Sequence, residues 1–335
     1  MSQLLGLVLL SFAVTCVFMV PFIELLYFLK RRFQKKLQDF KKSETPIHDQ
    51  LMKGDLKTPS GGGILIILIL IILSAGYGIF SGTPDKISLK ILLLSLASFG
   101  LLGLTDDIKS IITKRTGKFF GLSRRRMLFI QSLLALSIGG MLYLWGGLNN
   151  IYISGLGNFI IGGWYIPLAA FIIISFANAY NISDGLDGLA AGLLLICLFA
   201  FLALSSRSLD LTLASFIGIW IGALFAFLYF NIWPARIFLG DAGSLAFGAT
   251  LAVAGLLTGK ILALAIIGGM FVIIAASSLF QILSKKFLHR KILPITPVHM
   301  YFKYIGWEES KIVTRFWLAQ GLFAIFGLWI ALLSR

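Results

Sequence analysis

The sequence has little charge and almost no cysteine. Only 13% of its 335 residues are charged and 58% are hydrophobic, with a mean hydropathy of +0.94, whereas about 25% of an ordinary soluble domain is charged. This composition excludes a soluble globular protein. The two cysteines, Cys16 and Cys197, lie in apolar stretches, which excludes a disulfide scaffold and favours two small buried side chains over a metal pair. No persistent Gly-x-y or heptad repeat indicates collagen or a coiled coil.

Long apolar runs take up most of the chain. A helix needs about 20 apolar residues to cross the hydrocarbon core of a bilayer. By this criterion the sequence predicts ten spans, at 3–29, 61–80, 89–104, 127–146, 165–181, 188–204, 211–230, 243–257, 261–281 and 315–334. No internal repeat and no separate soluble segment is evident. We therefore expect an all-α, polytopic membrane protein with a single domain covering residues 1–335.

The net charge of +15 is distributed unevenly between the loops. Numbering the loops alternately assigns 24 of the 29 lysines and arginines to one side and 5 to the other. The positive-inside rule places the basic set in the cytoplasm, which leaves both termini outside. The excess of positive charge is therefore interpreted as a topology signal, with some residues available to anionic lipid or phosphate, and not as a nucleic-acid surface.

Five of the fourteen acidic residues are predicted to meet at the cytoplasmic face. Asp106 and Asp107 follow the third span, Asp184 and Asp187 follow the fifth, and Asp241 lies between the seventh and eighth. Their surroundings are apolar or rich in glycine, unlike those of carboxylates that solubilise a loop. Because ionisable groups at a membrane are costly, they usually mark a functional site.

A polar stripe is predicted at the end of the fifth span. Four residues recur at every third position there: Asn178, Asn181, Asp184 and Asp187. On a helix this spacing gives one slowly rotating face. Helix capping could account for one or two of them, but not for all four.

Carboxylates, glycines and basic loops at one water boundary suit a hard divalent cation that carries phosphates. Mg²⁺ prefers oxygen ligands, typically one or two carboxylates together with substrate phosphates and water. A phosphate-handling membrane enzyme is one interpretation, and a cation-coupled transporter is the other. Transporter sites lie near the bilayer midplane, whereas no acidic residue is predicted in the middle of a span, which favours the enzyme.

Five ordered motifs resemble the polyprenyl-phosphate N-acetylhexosamine-1-phosphate transferases, and within them the muramoyl-pentapeptide branch. They are TPSGGG at 58–63, the Asp106–Asp107 pair followed by GLSRRRMLFIQ at 121–131, NAYNISDGLDGLAAG at 178–192, FLYFNIWPARIFLGDAGSLAFG at 227–248 and TPVHMYFKYIGWEESKIVTRFW at 296–317. The resemblance covers most of the chain. One such motif is a weak signal, whereas five in the same order are a strong one.

The resemblance implies a ten-span enzyme of the cytoplasmic membrane, usually a homodimer, with its active site on the cytoplasmic face. It would transfer phospho-MurNAc-pentapeptide from UDP-MurNAc-pentapeptide to undecaprenyl phosphate, releasing UMP and forming the first lipid-linked peptidoglycan precursor. By resemblance Asp241 is the Mg²⁺ ligand, and the catalytic residues are Asp106, Asp107, Asp184, Asp187 and His299. The same comparison assigns substrate binding to Asn178 and Asn181, and uracil binding to Asn231 and Phe238.

The sequence departs from the family pattern at two places. His299 is followed by Met300 and Tyr301 where the family has two more histidines. The family lysine three residues before Thr-Pro is replaced by Asp55, so Lys57 or Lys53 is the substitute and Lys57 is assigned to substrate binding. For the glycines at 61–63, close helix packing and a direct phosphate contact are equally good explanations.

The sequence leaves two alternative functions open. Sister branches of the family use UDP-GlcNAc or a related UDP-sugar, and the altered histidine motif keeps that donor in consideration. A transporter that retained the scaffold is the more distant alternative.

Overall fold

A computed structural model of the protein describes residues 2–34, 58–80, 85–113, 122–153, 157–207 and 210–333. Helices dominate these ranges. Their bounds are α1 Ser2–Gln34, α2 Gly62–Phe80, α3 Lys86–Thr113, α4 Arg124–Leu144, α5 Tyr165–Ser183, α6 Leu189–Arg207, α7 Leu211–Asn231, α8 Gly240–Leu257, α9 Ile261–Ile267, α10 Gly269–Leu283, α11 Val298–Tyr304 and α12 Glu309–Leu333. A π-helical turn, Ser284–Leu288, continues α10.

Ten helices in the described ranges are long and apolar enough to cross a membrane. This confirms the predicted mostly helical, ten-span architecture. The ninth span is displaced, because the predicted run at 261–281 is interrupted at Gly268 and the spanning helix is Gly269–Leu288. The sequence did not predict a short antiparallel hairpin, with strand β1 at Asn150–Ile153 and strand β2 at Gly157–Ile160.

The central helices are α6, α7 and α8. Of the residues in the most apolar 18-residue stretch of α7, 89% are buried inside the protein, against 17% for the corresponding stretch of α1. Helix α8 is rich in glycine and alanine and packs most extensively against α3 and α5. Small residues let helix backbones approach closely where lipid provides no hydrophobic force between helices. This packing brings the end of α3 and the end of α5 to the start of α8.

The interruption at Gly268 is compensated by a side chain from another helix. The break frees backbone groups that a continuous helix would pair, and an unpaired backbone group in the membrane is costly. Gln320 of α12 is fully buried. Its Oε1 accepts a hydrogen bond from the Met270 N–H at 3.1 Å, and its Nε2 donates to the Ile267 carbonyl.

The two cysteines are free, as expected. Cys197 is buried and also donates to the Ile267 carbonyl, at 3.3 Å, whereas Cys16 is only partly buried.

Replacing Gln320 with leucine is expected to lower the free energy of unfolding by about 2 kcal/mol. The Met270 N–H loses its side-chain partner, and the Ile267 carbonyl keeps only the weaker Cys197 thiol. Thermal unfolding of the purified protein in detergent measures the effect. Thr314→Val on the same helix is the control, since it removes only an exposed hydrogen bond to Ser310. Equal midpoints for the two variants would contradict a bridging role for Gln320.

Candidate active site

The predicted acidic residues come together at one end of the helix bundle. The end of α3, the end of α5 and the start of α8 meet there, and the start of α12 lies against them. Hydrogen bonds link Asp107 to the backbone of α8, Asn181 to Asp241 and Asp187 to Glu309. The clustering expected from sequence is therefore present.

Asp107 fixes the position of α8. It lies inside α3, which runs to Thr113, and not in a loop after the third span as predicted. Its Oδ1 accepts a hydrogen bond from the Asp241 N–H at 3.2 Å, and its Oδ2 accepts one from the Ala242 N–H at 3.0 Å. The first amides of a helix have no partner within it and attract negative charge. Asp107 thus caps α8 from another helix.

Asp106 and Asp241 form a carboxylate pair. Asp241 lies in the first turn of α8, rather than in the loop before it, and its side chain is within hydrogen-bonding reach of that of Asp106. Asp106 also accepts a hydrogen bond from the Leu122 N–H. Both carboxylate oxygens of Asp107 accept hydrogen bonds from backbone amides of α8, whereas Asp106 contacts the side chain of Asp241. The two members of the predicted pair therefore have separate roles.

Asn181 holds Asp241 from the side of α5. Its Nδ2 lies 2.8 Å from Asp241 Oδ1 and 2.7 Å from Ser244 Oγ. Ser244, one turn along α8, was not identified from the sequence. The hydrogen bonds fix the direction of the Asp241 carboxylate.

The predicted polar stripe continues for only half of its length. Helix α5 ends at Ser183, so Asn178 and Asn181 lie on the helix, whereas Asp184 and Asp187 lie in the turn that follows. Asn178 donates hydrogen bonds to Gln131 Oε1 and to the Ile174 carbonyl, both at 2.8 Å. Neither of these bonds links it to Asp241. A single helical face through all four residues was therefore wrong.

Negative charge accumulates around Asp184. Burial, followed by the charges of Asp241, Asp107 and Asp187, raises the pKa of Asp184 to about 7. Carboxylates that raise one another's pKa in this way are stabilised by a nearby cation. The site therefore has an excess of negative charge that a divalent ion could offset.

Asp187 joins three segments of the chain. It is buried, and its Oδ2 accepts a hydrogen bond from the Ala235 N–H at 2.7 Å. Its own N–H donates to Glu309 Oε1 at 2.9 Å. Glu309 also pairs with Lys303, whose Nζ lies 2.7 Å from Oε2. Glu309 belongs to the motif at 296–317, but its contact with the site was not predicted from the sequence.

His299 lies against the turn that carries Asp184 and Asp187. It is buried, and a Cβ added to Gly185 would lie 2.8 Å from His299 Nε2. The structure thus brings this histidine to the acidic cluster. Met300, at the position of the family's second histidine, is buried in the hydrophobic core, and Tyr301 is partly exposed.

The two predicted uracil-binding residues have different surroundings. Asn231 is buried; its Oδ1 accepts a hydrogen bond from the Gly188 N–H at 3.1 Å and its Nδ2 donates to the Ile237 carbonyl at 2.9 Å. It therefore connects two loops of the site. Phe238 is partly exposed and lies next to Ile237, in the loop between α7 and α8. Both residues border the acidic cluster.

The glycine motif serves close packing. The amides of Gly61 and Gly62 donate to the Phe238 carbonyl at 3.1 and 2.9 Å, and that of Gly63 donates to the Leu239 carbonyl at 2.8 Å. A Cβ on Gly63 would lie 2.3 Å from the Gly243 Cα. Because these amides already have protein acceptors, the structure favours the packing explanation over a phosphate contact. Lys57, like Lys53 and Asp55, lies outside the described residues.

Within the described ranges, no group of three or more His, Cys, Asp or Glu side chains is arranged to hold a metal ion. Asp106 and Asp241 are two carboxylates whose side chains lie within hydrogen-bonding reach of each other. Two carboxylates are enough for Mg²⁺ when the remaining ligands are phosphate and water.

Comparisons with known proteins agree on one family. Residues 89–259 match the family described as glycosyl transferase family 4. Three bacterial relatives are each named phospho-N-acetylmuramoyl-pentapeptide-transferase. That of Geobacillus kaustophilus is 35% identical over 96% of this chain and 95% of its own; that of Pelagibacter ubique is 35% identical over 92% and 87%; and that of Oceanobacillus iheyensis is 38% identical over 82% and 83%.

Proposed function

The chain belongs to glycosyl transferase family 4. We propose that it transfers phospho-MurNAc-pentapeptide from UDP-MurNAc-pentapeptide to undecaprenyl phosphate, releasing UMP. The product is the first lipid-linked peptidoglycan precursor. The names of relatives aligned over most of the chain support this activity. The observation that carries it within the molecule is the contact of Asp106, Asn181 and Asp241 at one end of a membrane bundle.

The proposal includes a Mg²⁺ ion held by Asp241, with Asp106 beside it. The donor set fits, because two carboxylates face one another and the surrounding aspartates supply further negative charge. When bound, Mg²⁺ would neutralise charge on the donor diphosphate and stabilise the UMP leaving group. Asn181 orients the Asp241 carboxylate for this role.

The other site residues have positioning and binding roles in this proposal. Asp107 holds the start of α8, and Asp187 holds the turn against Ala235 and Glu309. Asp184 faces the reacting groups from that turn, and His299 faces them from α11, which lies against the turn. The substrate-binding set is Asn178, Asn181, Asn231, Phe238 and Lys57, with Asn231 and Phe238 at the uracil.

The acceptor needs little help from a general base. A phosphate monoester has a second pKa near 6, so it is largely dianionic at neutral pH. Catalysis of phosphoryl transfer is then mainly positioning and charge neutralisation. A cluster of fixed carboxylates that are held by backbone amides is suited to positioning.

We place this site at the cytoplasmic face of the cytoplasmic membrane, with both termini outside and the protein as a homodimer. The division of 24 basic residues against 5 supports the orientation by the positive-inside rule.

An assay of both donors tests the function. Purified protein with Mg²⁺ and undecaprenyl phosphate is expected to release UMP from UDP-MurNAc-pentapeptide and at least about tenfold less from UDP-GlcNAc, because a site built for the larger donor gains binding energy from its remote groups. The reverse preference would assign the chain to a sister branch. Absence of UMP from every UDP-N-acetylhexosamine, together with Mg²⁺-independent solute flux in vesicles, would support the transporter alternative.

A further inference from the structure

A largely buried ion pair lies behind the turn that follows α5. Lys303, in the last turn of α11, places its Nζ 2.7 Å from Oε2 of Glu309, the first residue of α12. The two side chains are only 17% and 10% exposed. Exposed ion pairs contribute little to a protein, whereas removing one partner of a buried pair leaves the other charge uncompensated. The function proposed above gives Lys303 no role.

The pair is joined to the turn by the second oxygen of its carboxylate. Glu309 Oε1 accepts a hydrogen bond from the Asp187 N–H at 2.9 Å, while Lys303 holds Oε2. The next amide of the turn, that of Gly188, donates to Asn231 Oδ1 at 3.1 Å. Lys303 therefore fixes the carboxylate that holds one of these amides, and through it the turn.

Helix α11 contacts the turn at two points. His299 and Lys303 are four residues apart on this helix, a spacing that places two side chains on the same face. His299 lies directly against Gly185, whereas Lys303 reaches the turn through Glu309. Two contacts from one face fix both the distance and the rotation of a short helix. The position of His299 relative to the acidic cluster therefore depends on Lys303.

Lys303 also offsets negative charge. Glu309 adds a carboxylate beside the backbone of Asp187, on a side of the site where Asp184 already experiences the charges of three other aspartates. The proposed donor would add a diphosphate. Without Lys303, this poorly solvated carboxylate would be repelled by its surroundings. Its movement toward water would release the Asp187 amide.

We propose that Lys303 is a positioning residue for the transfer reaction. By neutralising Glu309, it holds the turn that carries Asp184 and Asp187, and the helix that carries His299, in their reactive positions. The proposal rests on the function proposed above. Because neither member of the ion pair is placed against a substrate, its loss should lower kcat and leave the KM of both substrates unchanged, as for an interaction that matters in the transition state.

Single substitutions of two lysines in the same motif test the role. Lys303→Met is expected to lower kcat for UMP release at least about tenfold, since a displacement of about 1 Å can cost a hundredfold. Lys303→Arg keeps the charge and its hydrogen-bond donors, and should stay within about threefold of the unsubstituted protein. Lys311→Met is the matched control, because Lys311 is exposed and lies 5.1 Å from the centre of the Trp307 ring. Its kcat should be unchanged.

A double variant separates charge neutralisation from a general loss of structure. In K303M/E309Q the glutamine keeps an oxygen for the Asp187 N–H but carries no charge, so kcat is expected to recover most of what Lys303→Met loses. K303M/E309A removes that oxygen and should not recover. Independent structural effects would add instead. A K303M/E309Q enzyme as slow as Lys303→Met, assayed well below its unfolding midpoint, would contradict the proposal.

Hydrogen exchange gives a readout independent of turnover. Amides in residues 184–192 of the full-length protein are expected to exchange faster in Lys303→Met, and at the unsubstituted rate in Lys311→Met and K303M/E309Q, because exchange reports local opening. Unchanged exchange in Lys303→Met would overturn the proposal, and so would faster exchange with full kcat. If the unsubstituted protein releases no UMP from any donor, the function fails, and exchange alone decides whether Lys303 holds the turn.

Discussion

Asp241→Asn is expected to lower the rate of UMP release by roughly 10²–10³-fold, the range observed when one group that stabilises developing charge is removed. Asparagine keeps the shape of the side chain but loses the negative charge needed for Mg²⁺. The fold should be retained, because Asn181 can still donate to an oxygen at this position and Asp107 binds the backbone of α8, which the substitution does not alter. Steady-state UMP release at saturating Mg²⁺ and thermal unfolding are the two measurements.

Asp210→Asn is the matched control for this variant. Asp210 caps α7 by accepting the Leu213 N–H at 2.9 Å. It lies at the opposite end of the bundle from the site, because α7 and α8 are consecutive spans. Asparagine caps helices as well as aspartate does, so activity and stability should both be unchanged. An Asp241→Asn enzyme with nearly full activity would be incompatible with the proposed metal ligand.

The spans could be predicted because hydropathy is a local property of the sequence. Nine of the ten predicted runs each correspond to one helix, whereas the run at 261–281 covers both α9 and most of α10. The other errors lie mainly at the ends of the runs. The third run was ended at 104, yet α3 continues to Thr113. Asp106 and Asp107 break the apolar pattern, but Asp107 is stabilised inside the helix by the amides of α8. A partner more than 130 residues away leaves no local signal.

The candidate site could be predicted as a set of residues, but not as a set of roles. The motifs identified the aspartates, and the positive-inside count assigned them to one face. Asp106 contacts Asp241, whereas Asp107 caps α8. This difference in role depends on how α3 and α8 cross. Glu309 and Gln320 were missed for the same reason, since each pairs with backbone amides of a distant segment. In the sequence Gln320 is only a polar residue within an apolar run.

The crossing of α3 and α8 depends on the absence of a side chain at Gly103. A Cβ there would lie 2.1 Å from the Asp241 carbonyl oxygen and 2.6 Å from the Ala242 Cα, both of which are backbone atoms. The two helices would have to separate by about 1 Å or more to restore ordinary contact distances. That movement would draw Asp107 away from the amides of α8 and separate Asp106 from Asp241.

Gly103→Ala is therefore expected to reduce UMP release by about a hundredfold, the loss that a misplacement of about 1 Å can cause. Overpacking should also destabilise the protein by about 1–3 kcal/mol. Gly100→Ala on the same helix is the control, because its Cβ would meet the movable tip of Ile67 at 2.9 Å rather than backbone. The Gly100 variant should keep most of its activity. If both alanines behaved alike, the close approach at Gly103 would not be what aligns the carboxylates.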